Sequence, residues 1–281
     1  MSFFNYTEND VTNAVKGAIA GFDNTVNGIA NLMSFNLKGD KFASIWNTVN
    51  DVSTGIEVVA VCLAVIYTYV AITREGISLK GDLKKFLTIL LRLVITKGLI
   101  DSSTDFMFWI YSIGAKLTTI VNSKIGSGNQ SLESLYNSDD FAKGLGITAS
   151  SSGFDCFTAV QYSRIFGFFL WGLGIALIII GVSRIIKIYL QIMFSSLAFA
   201  KLPLEGYNGI KDNISSFFAL SSQGAVIIAA IGIFKILVAH ADVISNIFVD
   251  PMFGSFSIIV VLAISLVIVV FQSESIAKKF V

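Results

Sequence analysis

The chain has 281 residues, 54% hydrophobic and 14% charged, with a net charge of +1 and a mean hydropathy of +0.75. Soluble domains carry about 25% charged residues, and the apolar excess here comes in long runs, which excludes a single large water-soluble core. With a near-zero net charge and no basic or acidic tail, the whole-molecule field says little about partners.

Met1 to Asp10 are polar and acidic. They lack the basic flank and apolar stretch of a secretory leader, so the spanning helices are expected to direct insertion. Val11, Val15, Ala18, Phe22, Val26, Ile29 and Met33 then recur at steps of three and four. This spacing predicts an amphipathic helix too polar to span, lying on the membrane or on a neighbouring subunit. Its Gly17 and Gly21 form a GxxxG pair, which permits close helix contact but is weak evidence alone.

A second helix is predicted from Asp40, with Phe42, Ile45, Trp46, Val49, Val52 and Ile56 as its first stripe. Ile56 to Ile72 is almost continuously apolar and forms the first span, stopping at Arg74-Glu75-Gly76. Leu83 to Val121 carries Lys84, Lys85, Arg92 and Lys97 and is interrupted by Asp101 and Asp105. It is read as one crossing, broken or tilted. Residues 122–161 are rich in Gly, Ser, Asn and Asp and form the longest segment between spans; loops of this length are functional or disordered.

The third span is Ile165 to Val182. Gly167, Gly174 and Gly181 repeat at seven residues within it and share a face, a helix-packing surface for either a neighbouring helix of the same chain or another subunit. Ile185 to Ala200 is apolar but short, flanked by Arg184, Lys187 and Lys201. It is a short span, a re-entrant hairpin or an interfacial helix. Phe217 to Val238 and Phe256 to Phe271 complete the spans. The expected fold is therefore all-α and polytopic: about five transmembrane helices, an N-terminal amphipathic helix and one short re-entrant or interfacial segment. Residues 1–40 form the N-terminal region and 41–281 a single transmembrane domain with a central extracytoplasmic loop at 122–161.

With five crossings the short inside segments hold Arg74, Lys80, Lys84, Lys85, Arg184, Lys187, Lys201, Lys211, Lys278 and Lys279. This bias of basic residues puts the N-terminus outside and the C-terminus in the cytoplasm.

Catalytic signatures are missing. No Gly-Lys pair occurs, so there is no Walker A loop. One histidine, His240, rules out HExxH zinc chemistry, and neither CxxC nor GxSxG occurs. Cys62 and Cys156 are not expected to pair. No enzyme activity, cofactor or metal site is expected. Charges within spans cost at least about 2.5–3.5 kcal/mol at the bilayer centre. Lys235 is expected to snorkel to the surface. Arg92 and Lys97 either face a water-filled path or pair with Asp101 or Asp105. Ser221, Ser222 and Gln223 form a polar patch suited to bonding across helices. No ladder of acidic residues and no internal repeat is visible, which counts against a small-solute carrier.

Three stretches carry a resemblance: KKFLTILLRLVITKGLIDSSTDFMFWI (84–110), SRIIKIYLQIMFSSLAFAKLP (183–203) and NISSFFALSSQGAVIIAAIGIF (213–234). Their order resembles the TrbL-like (sixth VirB) polytopic inner-membrane subunit of type IV secretion systems. The matching positions are Arg184, Lys187, Tyr189, Pro203, Gln223 and Gly224. Pro203 departs from that pattern, since it follows Lys201 rather than sitting within the apolar stretch. Compactness and an Asn/Lys/Ile-rich composition resemble versions from conjugative elements of Gram-positive bacteria. The resemblance implies a channel subunit of the cytoplasmic membrane that forms a homo-oligomeric ring and passes single-stranded DNA or protein. It implies partners among the other secretion subunits, including ATPases and the coupling protein. Alternatives from the composition alone are a small-solute permease and a non-conducting membrane scaffold. The loop at 122–161 has too few basic and aromatic residues to bind DNA tightly alone.

Overall fold

The computed structural model describes residues 6–39, 42–74, 83–125, 153–240 and 255–280. Their regular structure is entirely helical: α1 (Glu8–Met33), α2 (Ala43–Arg74), α3 (Leu83–Asp101), α4 (Ser103–Ile125), α5 (Gly153–Met193), α6 (Ser195–Phe199), α7 (Leu202–Glu205), α8 (Asn208–Ala239) and α9 (Ser255–Lys278). Among them α2, α5, α8 and Ile259–Lys278 of α9 are long and apolar enough to cross a membrane. The protein is an all-α, multi-pass membrane protein. The segment expected as one broken crossing is two helices, α3 and α4, parted at Ser102. Their basic and acidic residues keep both out of the apolar group.

Several boundaries differ from the sequence expectation. Arg184 does not end a span, because α5 continues through it to Met193. Nothing between Val182 and Met193 breaks a helix; the charge alone suggested a boundary there. The apolar segment at 185–200 is thus the end of α5 followed by the single-turn helix α6. Residues 122–125 and 153–161, expected as loop, are helical. Asp155 in the first turn of α5 suits that end of the helix dipole. The rest of the central loop, 126–152, lies outside the described residues, as do Asp40, Glu75, Gly76 and Lys80.

The chain divides into two compact units, each made of separated segments: Met1–Met33, Thr118–Val182 and Ala225–Ser273 in the first, and Ser34–Leu117, Ser183–Gly224 and Glu274–Val281 in the second.

The first unit is organised around α1. Asp10 fastens the start of the helix: its carboxylate accepts the backbone N–H of Thr7 at 2.8 Å and the Thr7 hydroxyl at 2.9 Å. These bonds hold the Asp10 carboxyl below the usual carboxylate range. Val15, Ile19, Phe22, Val26, Ile29 and Met33 are buried with Phe166, Leu170 and Leu177 of α5, with Ile227, Ile231 and Phe234 of α8 and with Ala263 and Leu266 of α9. The stripe expected to meet lipid or a neighbouring subunit is packed against the chain's own helices.

The α5 glycines make that fit possible. A Cβ at Gly167 would lie 3.1 Å from Ala18 Cβ, one at Gly174 3.2 Å from Thr25 Cγ2, and one at Gly181 3.2 Å from Leu32 Cδ2. Both partners advance by seven residues in the same direction, so α1 runs parallel to α5 in one register.

In the second unit α2 turns small residues inward (Ser53, Ala60, Ala64, Thr68 and Ala71) and presents Val58, Val65, Ile66 and Tyr69 outward. This inverts the pattern of a soluble helix and matches close packing in lipid. The buried face meets α3, α6 and α7, and Ser53 and Thr104 share a buried hydrogen bond of 2.8 Å.

Candidate functional site

The second unit contains the most unusual buried group, Arg184, which is 1% exposed. It extends from α5 onto the main chain of α8. Its Nε donates to the Leu220 carbonyl at 3.3 Å and its Nη2 to the Ser221 carbonyl at 3.1 Å. A guanidinium keeps its charge under all ordinary conditions and presents donors in a planar fork. One side chain therefore clasps two consecutive carbonyls and ties the end of α5 to the start of the Ser-Ser-Gln-Gly stretch.

On the same turn of α8, Gly114 of α4 meets Ser221. An added Cβ would lie 2.6 Å from both the carbonyl carbon and oxygen of Ser221 and 2.7 Å from its Cβ. No side chain fits between these helices. One turn before Gly114, the buried Tyr111 donates its hydroxyl to the Phe35 carbonyl at 2.7 Å. Tyr189, one turn beyond Arg184 on α5, donates to the Leu37 carbonyl at 3.2 Å. The Phe35 ring packs near Phe42, Tyr111 and Tyr189, with centroids 5.1, 6.0 and 6.5 Å away. Asn36 shapes this segment by accepting the Lys38 N–H at 3.1 Å. The Ser34–Gly39 connection is thus fastened by two phenolic hydroxyls on its own carbonyls.

Lys38 leaves this connection to lie over the rings of Trp46 (4.6 Å) and Phe108 (4.1 Å), with Asp105 3.6 Å away. The geometry is that of a cation held against aromatic faces.

The other residues singled out in sequence are distributed around the unit. Lys187 is exposed and pairs with Glu274 of α9 at 2.8 Å; Glu274 also meets Lys278 at 3.0 Å. Pro203 is buried at the start of α7, where its missing N–H leaves no helix bond unmade. Gly206 ends α7 at φ +62°, and the Arg92 guanidinium lies 3.8 Å from where its Cβ would stand. Lys97 pairs with Asp101 one turn later on α3. Ser221 and Ser222 donate to Phe217 and Ala219 on their own helix rather than across helices. Gln223 beside them is 4% exposed.

In the first unit the site of interest is Lys235. Its ammonium lies 3.4 Å from Asp23 and donates to Asn27 at 2.8 Å, both on α1. The side chains are 12% and 7% exposed, so this lysine is paired inside and does not snorkel. Sequence reasoning missed this pair and Gly114. The signal available was thin: one acid on the face of α1 next to its apolar stripe, and one glycine inside α4.

Chemically, this is a set of fixed groups: Arg184 and two tyrosine hydroxyls on main-chain carbonyls, and lysines paired with carboxylates. Among the described residues no three His, Cys, Asp or Glu side chains gather as a metal site. Compared with protein-family models, with curated proteins and with solved structures, the chain finds no match.

Proposed function

We propose that the protein is a structural channel subunit of a conjugative type IV secretion machine, of the TrbL-like kind, in the cytoplasmic membrane. It passes single-stranded DNA or protein, works as a homo-oligomeric ring, and takes its energy from partner ATPases and a coupling protein. The distribution of basic residues supports a cytoplasmic C-terminus and an outside N-terminus. One observation carries the reading: the resembling stretches at 183–203 and 213–234 meet through Arg184 on the carbonyls of Leu220 and Ser221. A motif whose parts touch is better explained as a unit than as chance apolar similarity. The multi-pass helical fold and the lack of a phosphate loop are consistent with it.

A small-solute permease is the rival, and the buried Asp23–Lys235 pair is the observation that favours it, since intramembrane ion pairs often mark solute or proton pathways. Deleting the gene and restoring it in trans separates the two. Loss of DNA transfer between cells at unchanged growth, rescued by the wild-type gene but not by Arg184→Ala, supports the channel subunit. Transfer unchanged on deletion overturns it, and ion-coupled uptake by the purified protein in vesicles would then establish the permease.

A further inference from the structure

The parallel register in the first unit has a physical consequence for α1. Residues 18–32 lie alongside Gly167–Gly181 of α5. That stretch of α5 is among the most apolar of the chain, and its outward side chains include Phe168, Trp171, Ile175 and Ile179. A helix seated against it lies at the depth of the hydrocarbon.

The outward side chains of α1 are of another kind. Asn13, Gly17, Gly21, Asn24, Gly28 and Asn31 are exposed. At 100° per residue they fall within an arc of about 80° on one face. A Cβ at Gly17, Gly21 or Gly28 would meet nothing within 4 Å. The exposed positions of α8 and α9 in the same unit are mostly apolar, among them Ile233, Ile236, Val261 and Ile268, with Ser265 and Gln272 as the polar ones on α9. A carboxamide turned toward lipid tails, as that of Asn24 would be, loses hydrogen bonds that the tails cannot replace. Beside this face a cleft of about 290 Å³ opens between α1 and α5, lined by Gly17, Gly21, Thr25, Ser163, Arg164 and Trp171. Its Arg164 is exposed, which places a charge on the same side of the unit as the amides.

We propose that this Asn/Gly face of α1 lines an aqueous path through the membrane. The apolar stripe of α1 anchors the helix, the Asp23–Lys235 pair fixes its rotation, and the amide face meets water. The face itself is amide and bare backbone, polar and uncharged, with the Arg164 guanidinium in the cleft beside it; such a lining does not repel a polyanion and suits an extended hydrophilic polymer. Hydration follows from depth and residue type alone; the passage of a polymer rests on the channel reading above. A failed transfer assay would therefore remove the substrate while leaving the water path standing.

Single cysteines test it in the full chain with Cys62 and Cys156 replaced by Ser and Ala. Gly21→Cys, Asn24→Cys and Asn31→Cys are exposed in membranes to a membrane-impermeant sulfonated thiol reagent. Ile179→Cys and Val261→Cys, both on apolar exposed faces, serve as controls. Gly28→Cys, with open space around its Cβ, stands in for any variant that fails to accumulate. Since the thiolate forms and reacts only where water reaches it, the α1 positions should react at least about tenfold faster than the controls. Rates equal to those of the controls would overturn the proposal. So would protection of the α1 positions combined with disulfide-linked dimers of Asn24→Cys, which would make the face a contact between copies.

Discussion

Each unit is held together internally by its own means. The first is fastened along its length by repetition: α1 places Ala18, Thr25 and Leu32 on Gly167, Gly174 and Gly181, and an apolar stripe fills the space to α8 and α9. The second is fastened at points, by one arginine on two carbonyls, two tyrosine hydroxyls on a connecting segment and one glycine against a neighbouring backbone. Repetition spreads the interaction over many small dispersion contacts, none decisive. Point fastening concentrates it in groups whose loss strands a buried polar partner. The contrast predicts gradual losses along the first unit and abrupt ones in the second, with one exception.

That exception is the buried Asp23–Lys235 pair, where the largest effect is expected. Asp23→Ala leaves a lysine buried without its acid and should destabilise the protein by about 3–5 kcal/mol. In detergent this reads as a large fall in the temperature of aggregation. The exchanged pair Asp23→Lys with Lys235→Asp should recover part of the loss; failure of the exchange to recover any would show that the pair's surroundings, not its charge match, set the cost.

Arg184→Ala removes the charge-assisted hydrogen bonds to the Leu220 and Ser221 carbonyls and should cost about 1.5–3 kcal/mol in all. Arg184→Lys keeps the charge without the fork and should fall between Ala and wild type in the same thermal assay. An equal effect of Lys and Ala would mean that the fork geometry matters, and a neutral Ala would mean that the clasp does not bear on stability.

Next comes Gly114→Ala, whose added methyl would press on Ser221. Overpacking of this kind costs about 1–3 kcal/mol. Gly17→Ala, with open space around it, should be neutral or slightly stabilising in the same assay. A reversal of that order would contradict the close approach of α4 to α8.

The smallest effect belongs to Lys187→Ala. Its pair with Glu274 is half exposed and should contribute less than about 1 kcal/mol, with no clear change in thermal stability. Loss of DNA transfer at unchanged stability would then mark Lys187 as a contact for a partner.

The class of protein was legible in the sequence because long apolar runs and scarce charge report directly on lipid. The glycine face was legible too, as a seven-residue period, although not its occupant. Arg184 misled in a specific way: a charge beside an apolar run reads as a span end, yet here its N–H groups are solvated by carbonyls of a helix 36 and 37 residues away. The docking of α1 was hidden for a similar reason. Its amide face argued against burial in a bilayer, and the Lys235 contact that draws it in crosses 208 residues of chain to Asn27. Single long-range polar contacts leave no period to detect, whereas helix faces do.

The seating of α1 on α5 underlies the first unit and the water path, and one cross-linking measurement reaches it directly. In a chain with Cys62 and Cys156 replaced, Ala18→Cys is combined with Gly167→Cys or with Gly181→Cys and oxidised in the membrane. The Ala18 Cβ lies 3.1 Å from where a Gly167 Cβ would stand, near the separation a disulfide needs. An intramolecular bridge is expected for the first combination and none for the second. A bridge with Gly181→Cys, or bridges formed only between chains, would contradict it and return α1 to the membrane surface or to a neighbouring subunit.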